Sequence, residues 1–151
     1  MRFHQLKEVY QHVIDINKEL TCLYEYFLAN ITDERTRIFV HFVIQKQTDA
    51  ISYLNGLIKT ESKSVLDSWL DEDIENKSIN YIRTLKQQPN VTIDDVLAIS
   101  ADINEKINSW LMIIIDVSTN QTVKEHIQNL IELQSSKYQQ LLHSAHRMAD
   151  I

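Results

Sequence analysis

The stretch NEKINSWLMIIIDVSTNQTVKEHIQNLIELQSSK, Asn104 to Lys137, decides the fold. Its apolar residues fall at Ile107, Trp110, Leu111 and Ile114, pause over Thr119 to Thr122, and resume at Val123, Ile127, Leu130 and Ile131. Spacings of three and four place each set on one face of a helix. A break this short folds the two helices back on each other as antiparallel neighbours. Asn104, Gln134 and Lys137 fall in the inward-facing register of that hairpin, polar where the pattern asks for apolar.

Upstream, Thr92 with Asp95 three residues on gives a capping-box start that uses Asp in place of the usual Glu or Gln. Val96, Ile99 and Ile103 then extend the stripe, while on the far side Tyr138 and Leu141 carry the last helix toward Ala149. The first half of the chain has the same design. Leu6, Val9, Val13, Ile16, Leu20, Leu23 and Phe27 form one stripe of a helix over 3–29, interrupted at Asn30-Ile31-Thr32. Thr32, followed by Asp33 and Glu34, reads as the N-cap and acidic first turn of a second helix, which reaches Lys59 with Thr36, Val40, Val43, Ile44, Ile51 and Leu54 inward. Gly56, near its end, is a place for that helix to fray.

Between Thr60 and Val91 the periodicity weakens. Val65, Leu66, Trp69 and Leu70 suggest one short helix, with Trp69 as a packing anchor, and Ile74, Ile79, Tyr81, Ile82 and Leu85 suggest another, ended by Pro89. The expectation is a single all-α domain over 1–151: a hairpin over 3–59, a long crossover over 60–91 and a second hairpin over 92–149. The crossover is long enough for the helix after it to run parallel to the one before it.

Composition agrees. One Gly and one Pro in 151 residues leave almost no turn punctuation, which favours long helices and few loops. A net charge of -6 lacks the clustered Lys and Arg that nucleic acid or an anionic membrane surface requires. The N-terminal residues lack the apolar core of a signal peptide, and the run Trp110 to Ile115 falls well short of the roughly 20 residues a membrane span needs. With Cys22 as its one cysteine the chain makes no internal disulfide, so a cytoplasmic protein is expected and Cys22 reads as a small buried thiol.

An offset of 87 residues, the separation of Asp15 from Asp102, superposes the two hairpins without a gap. Asn17 falls on Asn104, Leu23 on Trp110, Phe27 on Ile114, Thr32 on Thr119, Val40 on Ile127, Val43 on Leu130, Gln47 on Gln134 and Leu54 on Leu141. Helical hairpins match in hydrophobicity at some register by chance. The polar matches and equal loop lengths carry more weight.

This arrangement resembles the ferritin-like four-helix bundles of the rubrerythrin and bacterioferritin type. In that family each hairpin supplies one Glu from its first helix and a Glu-x-x-His pair from its second, all directed inward onto two metal ions; residues three apart share a helix face and can reach one ion. The resemblance places Asn17 and Asn104 at the first-helix Glu positions, Gln47 and Gln134 at the second-helix Glu positions, and Ala50 and Lys137 at the His positions. All six ligands are replaced by groups that are neither carboxylate nor imidazole. Iron and manganese need anionic oxygens, which amides do not supply, and Lys137 adds a cation where a cation would bind. The implied centre is degenerate: no metal, no cofactor, no catalytic residue. Asp15, Asp102, Glu19 and Glu105 could rescue a metal site only by facing inward, and the stripe puts them on the flanks.

The four amides then read as a hydrogen-bonded core layer that must be nearly fully paired, since an unsatisfied buried polar group costs about 1–3 kcal/mol. The functional counterpart is a small polar ligand held by the same amides, with Lys137 meeting an anionic group. A buried lysine tends to lose its proton, so a neighbouring carboxylate or an outward-snorkelling ammonium is expected at Lys137. His143 and His146, three apart near the last helix C-terminus, read as surface cations. Phe39, Phe42, Ile113 and Leu133, read as outward-facing, suggest a homodimer. The expected role is a non-enzymatic binding, regulatory or structural protein. Two alternatives are a metal-dependent oxidoreductase or iron-handling protein of the same fold with relocated ligands, and an acidic helical adaptor or inhibitor of a basic partner protein.

Overall fold

The computed structural model describes residues 6–61, 73–88 and 90–149. The side chains of residue 61 and of residues 73–76 are not described. All the regular structure in these residues is helical: α1 (Leu6–Leu28), α2 (Glu34–Glu61), α3 (Asp73–Thr84), α4 (Ile93–Val117) and α5 (Gln121–Ala149), with a short 3-10 turn at Leu85–Gln87. The all-α expectation holds, and the four long helices lie where the stripes put them. The expected short helix around Val65 to Leu70, with Trp69, falls outside the described residues, as does Pro89.

Local chemistry sets the helix ends. Thr92 and Asp95 make the capping box in both directions, with the Asp95 amide donating to Thr92 Oγ1 at 3.2 Å and the Thr92 amide to Asp95 Oδ2 at 2.9 Å. At the start of α2 the cap is Asp33 and not Thr32: its Oδ2 accepts from the Thr36 amide at 3.0 Å and from the Thr36 hydroxyl at 2.6 Å. A carboxylate outcompetes a hydroxyl there because it meets the helix dipole with a full charge, and these bonds hold the Asp33 carboxyl below its ordinary range. Asn120 caps α5 by accepting from the amides of Thr122 and Val123. Arg37 reaches back to the carbonyl of Leu28 at the end of α1 at 2.7 Å and to that of Ile31 in the loop at 2.9 Å, closing the first hairpin. Gly56 does not end α2, which continues to Glu61.

α1 packs along α2, and α4 along α5; α2 also touches α4 and α5. The Tyr24 hydroxyl meets Ser100 Oγ at 2.7 Å, and the His12 ring stands edge-on to Trp110 at 5.7 Å between centroids. Position falls along α1 as it rises along α4, so these helices are antiparallel. With two tight hairpins, α2 and α4 then run parallel. The connection carries α3, which lies against α1 and buries Ile82.

The core joins α1 residues Leu6, Val9, Val13, Ile16, Leu20, Leu23 and Phe27 to Val40, Val43 and Leu54 of α2, to Val96, Ile103, Ile107, Trp110 and Leu111 of α4, and to Val123, Ile127, Leu130 and Leu141 of α5. Three outward assignments are corrected. Phe39 is fully buried, because α2 meets helices on more than one side and hides a face wider than one stripe. Phe42 and Leu133 are half-buried against the core, Phe42 with the Lys46 ammonium 5.3 Å above its ring. Ile113 is outward as expected, at 57% exposure. Cys22 is exposed, contrary to expectation: it follows Leu20 and precedes Leu23 on α1, one step off the buried stripe. Among the described residues no helix is long and apolar enough to cross a membrane.

Candidate functional site

The centre of the bundle is a polar layer inside an apolar core. Asn17 on α1, Gln47 on α2 and Gln134 on α5 are 0%, 3% and 1% exposed. Together with Asn104 on α4 and Lys137 on α5 they line one small cavity of about 20 Å³, walled by Leu20, Ile103, Ile107 and Leu141. Five of the six residues singled out by the repeat therefore meet at one place. The sixth, Ala50, is buried on α2 but does not line the cavity. Its repeat counterpart is Lys137, so only one of two equivalent positions sends a long side chain inward.

Lys137 organises the layer. Its Nζ donates to Gln47 Oε1 at 2.6 Å and lies at 3.5 Å from Asn17 Oδ1. The lysine as a residue is half-buried, but its ammonium is at the inner end, away from water. This differs from expectation on both counts: the ammonium does not snorkel outward, and among the described residues no carboxylate lines the cavity with it. Amide oxygens replace water around the cation, an arrangement with more donors and acceptors than a carboxylate pair but no opposite charge. Burial accordingly pushes the Lys137 ammonium down from 10.5 to about 8.

The layer is not fully paired from within. Asn17 Nδ2, Asn104 Oδ1 and Gln134 Oε1 are buried and find no partner among the described protein atoms. Lys137 thus bonds the two amides of the first hairpin and leaves those of its own hairpin with free acceptors. The Tyr24–Ser100 pair, one of whose members, Ser100, lines the cavity, was not legible in the sequence. Ser100 has no polar counterpart in the repeat, where Val13 takes its place.

The flanking carboxylates are engaged elsewhere. Asp15 accepts from Gln11 at 2.8 Å on its own helix, Glu19 pairs with Arg83 at 2.9 Å, and Asp102 pairs with Lys106 at 2.8 Å, which lowers its carboxyl below the ordinary range. Glu105 is exposed. Among the described residues no three His, Cys, Asp or Glu side chains gather as a metal site would need. His143 and His146 are exposed on the last turns of α5.

On the outer side of α4 a groove of about 640 Å³ is lined by Ala101, Asn104, Glu105, Asn108, Met112 and Ile113 together with Tyr138 of α5. Asn104 and Tyr138 border both this groove and the central cavity. They form a partition shared by the two spaces. No family model, curated protein or solved structure matches the chain.

Proposed function

We propose that this chain is a ferritin-like bundle of the rubrerythrin and bacterioferritin type whose dimetal centre has been replaced by a lysine solvated by amides, and that it works as a non-enzymatic binding or structural protein. The observation that carries the reading is the Lys137 ammonium at the centre of the bundle, 2.6 Å from Gln47 Oε1 and 3.5 Å from Asn17 Oδ1, where the ferritin-like reading puts a metal ion. A fixed cation there repels a divalent ion, and the surrounding amides bring no negative charge to offset the desolvation of one. The two antiparallel hairpins, the parallel run of α2 and α4 across the crossover, and the pairing of Asn17 with Asn104 and Gln47 with Gln134 about the centre all support the ferritin-like assignment.

A homodimer through the outer face of α4 fits this role, since Met112, Ile113 and Val117 are exposed there. The exposed thiol of Cys22 suits a reducing compartment such as the cytoplasm. The deciding experiment is metal analysis of protein expressed in iron- and manganese-supplemented medium and then titrated with ferrous iron under argon. Substoichiometric metal and no oxo-bridged iron absorption are expected. Two metal ions per chain overturn the reading.

A further inference from the structure

The three unpartnered atoms at the cavity are of complementary kinds. Asn17 Nδ2 is a donor, Asn104 Oδ1 and Gln134 Oε1 are acceptors, and the Lys137 ammonium has three N–H groups, two of them directed at Gln47 and Asn17. That makes two donors and two acceptors around one space. A cavity of about 20 Å³ exceeds the roughly 10–15 Å³ a single water needs, and an internal water makes two to four hydrogen bonds. An anion fits less well, because two of the atoms facing it are carbonyl oxygens. A divalent cation fits less well again beside an ammonium.

We propose that the cavity is a binding site for one water molecule, which accepts from Asn17 Nδ2 and Lys137 Nζ, donates to Asn104 Oδ1 and Gln134 Oε1, and exchanges with solvent through the Asn104–Tyr138 partition. This water is the bond between the hairpins that the protein atoms do not make: it ties Asn104 of α4 to Asn17 of α1 and gives the ammonium its third acceptor. Asn104 acts at once as ligand and as door, because the same side chain borders the outer groove. The site depends on the cavity's own geometry and stands whether or not the bundle is ferritin-like.

The test is a crystal structure of the full chain grown in sodium bromide, with oxygen-17 water relaxation measured on the same protein in solution. One density peak is expected within about 2.7–3.2 Å of at least three of the four atoms, without bromide anomalous signal, and with one long-lived water in the relaxation data. Asn104→Ala, which removes a ligand and opens the partition, is expected to abolish the long-lived component while the fold, read by circular dichroism, is retained. Bromide at the cavity overturns the proposal in favour of an anion site. So does a layer in which the amides have rotated to bond one another with no density between them, or a long-lived water unaffected by Asn104→Ala in the folded variant.

Discussion

Replacing Lys137 by Met removes the cation and keeps the length and much of the volume of the side chain. Burial holds the Lys137 midpoint near 8 in the folded chain against 10.5 in the unfolded one, a gap worth on the order of 3 kcal/mol. The sign follows from proton counting. Below pH 8 both states carry the proton and the folded state bears the full penalty for burying charge. Between pH 8 and 10.5 the unfolded chain binds more protons than the folded chain, so stability rises with pH and the penalty is recovered. Lys137→Met loses the penalty but leaves Gln47 Oε1 without its donor, which costs about 1–3 kcal/mol. The two terms nearly offset at pH 7, and the variant is expected within roughly 2 kcal/mol of the parent there.

The pH dependence separates them. Urea unfolding of both proteins at half-unit steps from pH 7 to 10.5 gives a difference in which other titrating groups cancel. The parent should gain on the variant by up to about 3 kcal/mol across that window. A difference that stays flat would mean the folded ammonium is solvated like a free lysine. A parent that loses ground with rising pH would mean an anion holds the proton on. Either result refutes the amide-solvated cation.

Tyr24→Phe removes the 2.7 Å bond to Ser100 and should cost about 1 kcal/mol by chemical denaturation. A double-mutant cycle with Ser100→Ala should show coupling of similar size, and a coupling near zero would mean the pair does not join α1 to α4. Thr92→Ala breaks the capping box at the start of α4 and should cost about 1 kcal/mol, whereas Thr32→Ala should be close to silent because Asp33 holds the α2 cap. Cys22 should react with a bulky thiol reagent in the native protein at nearly the rate seen in urea, and strong native protection would contradict its exposed place on α1. Phe39→Ala, in contrast, should cost about 3–5 kcal/mol as a core truncation.

The four long helices, their hairpin pairing and most of the core were legible from spacing alone, because an amphipathic stripe such as Leu6 to Phe27 carries its own periodicity and needs no partner to be recognised. The polar layer was legible too, since Asn17, Gln47, Asn104 and Gln134 interrupt that stripe at repeat-related positions. Phe39 and Cys22 were misread because a single stripe underestimates the buried arc of a helix with neighbours on two sides and overestimates it beside the stripe's edge.

Sequence by itself determined which polar residues lie at the level of the bundle centre, since periodicity fixes height and face along each helix. Only the tertiary structure decided what they do to one another. The inward turn of the Lys137 ammonium onto the amides of the other hairpin, the Tyr24–Ser100 bond and the Asn104–Tyr138 partition all join residues far apart in the chain. Such contacts depend on the relative rotation of packed helices, a quantity of a few ångströms to which hydrophobic spacing is blind and hydrogen bonding is not.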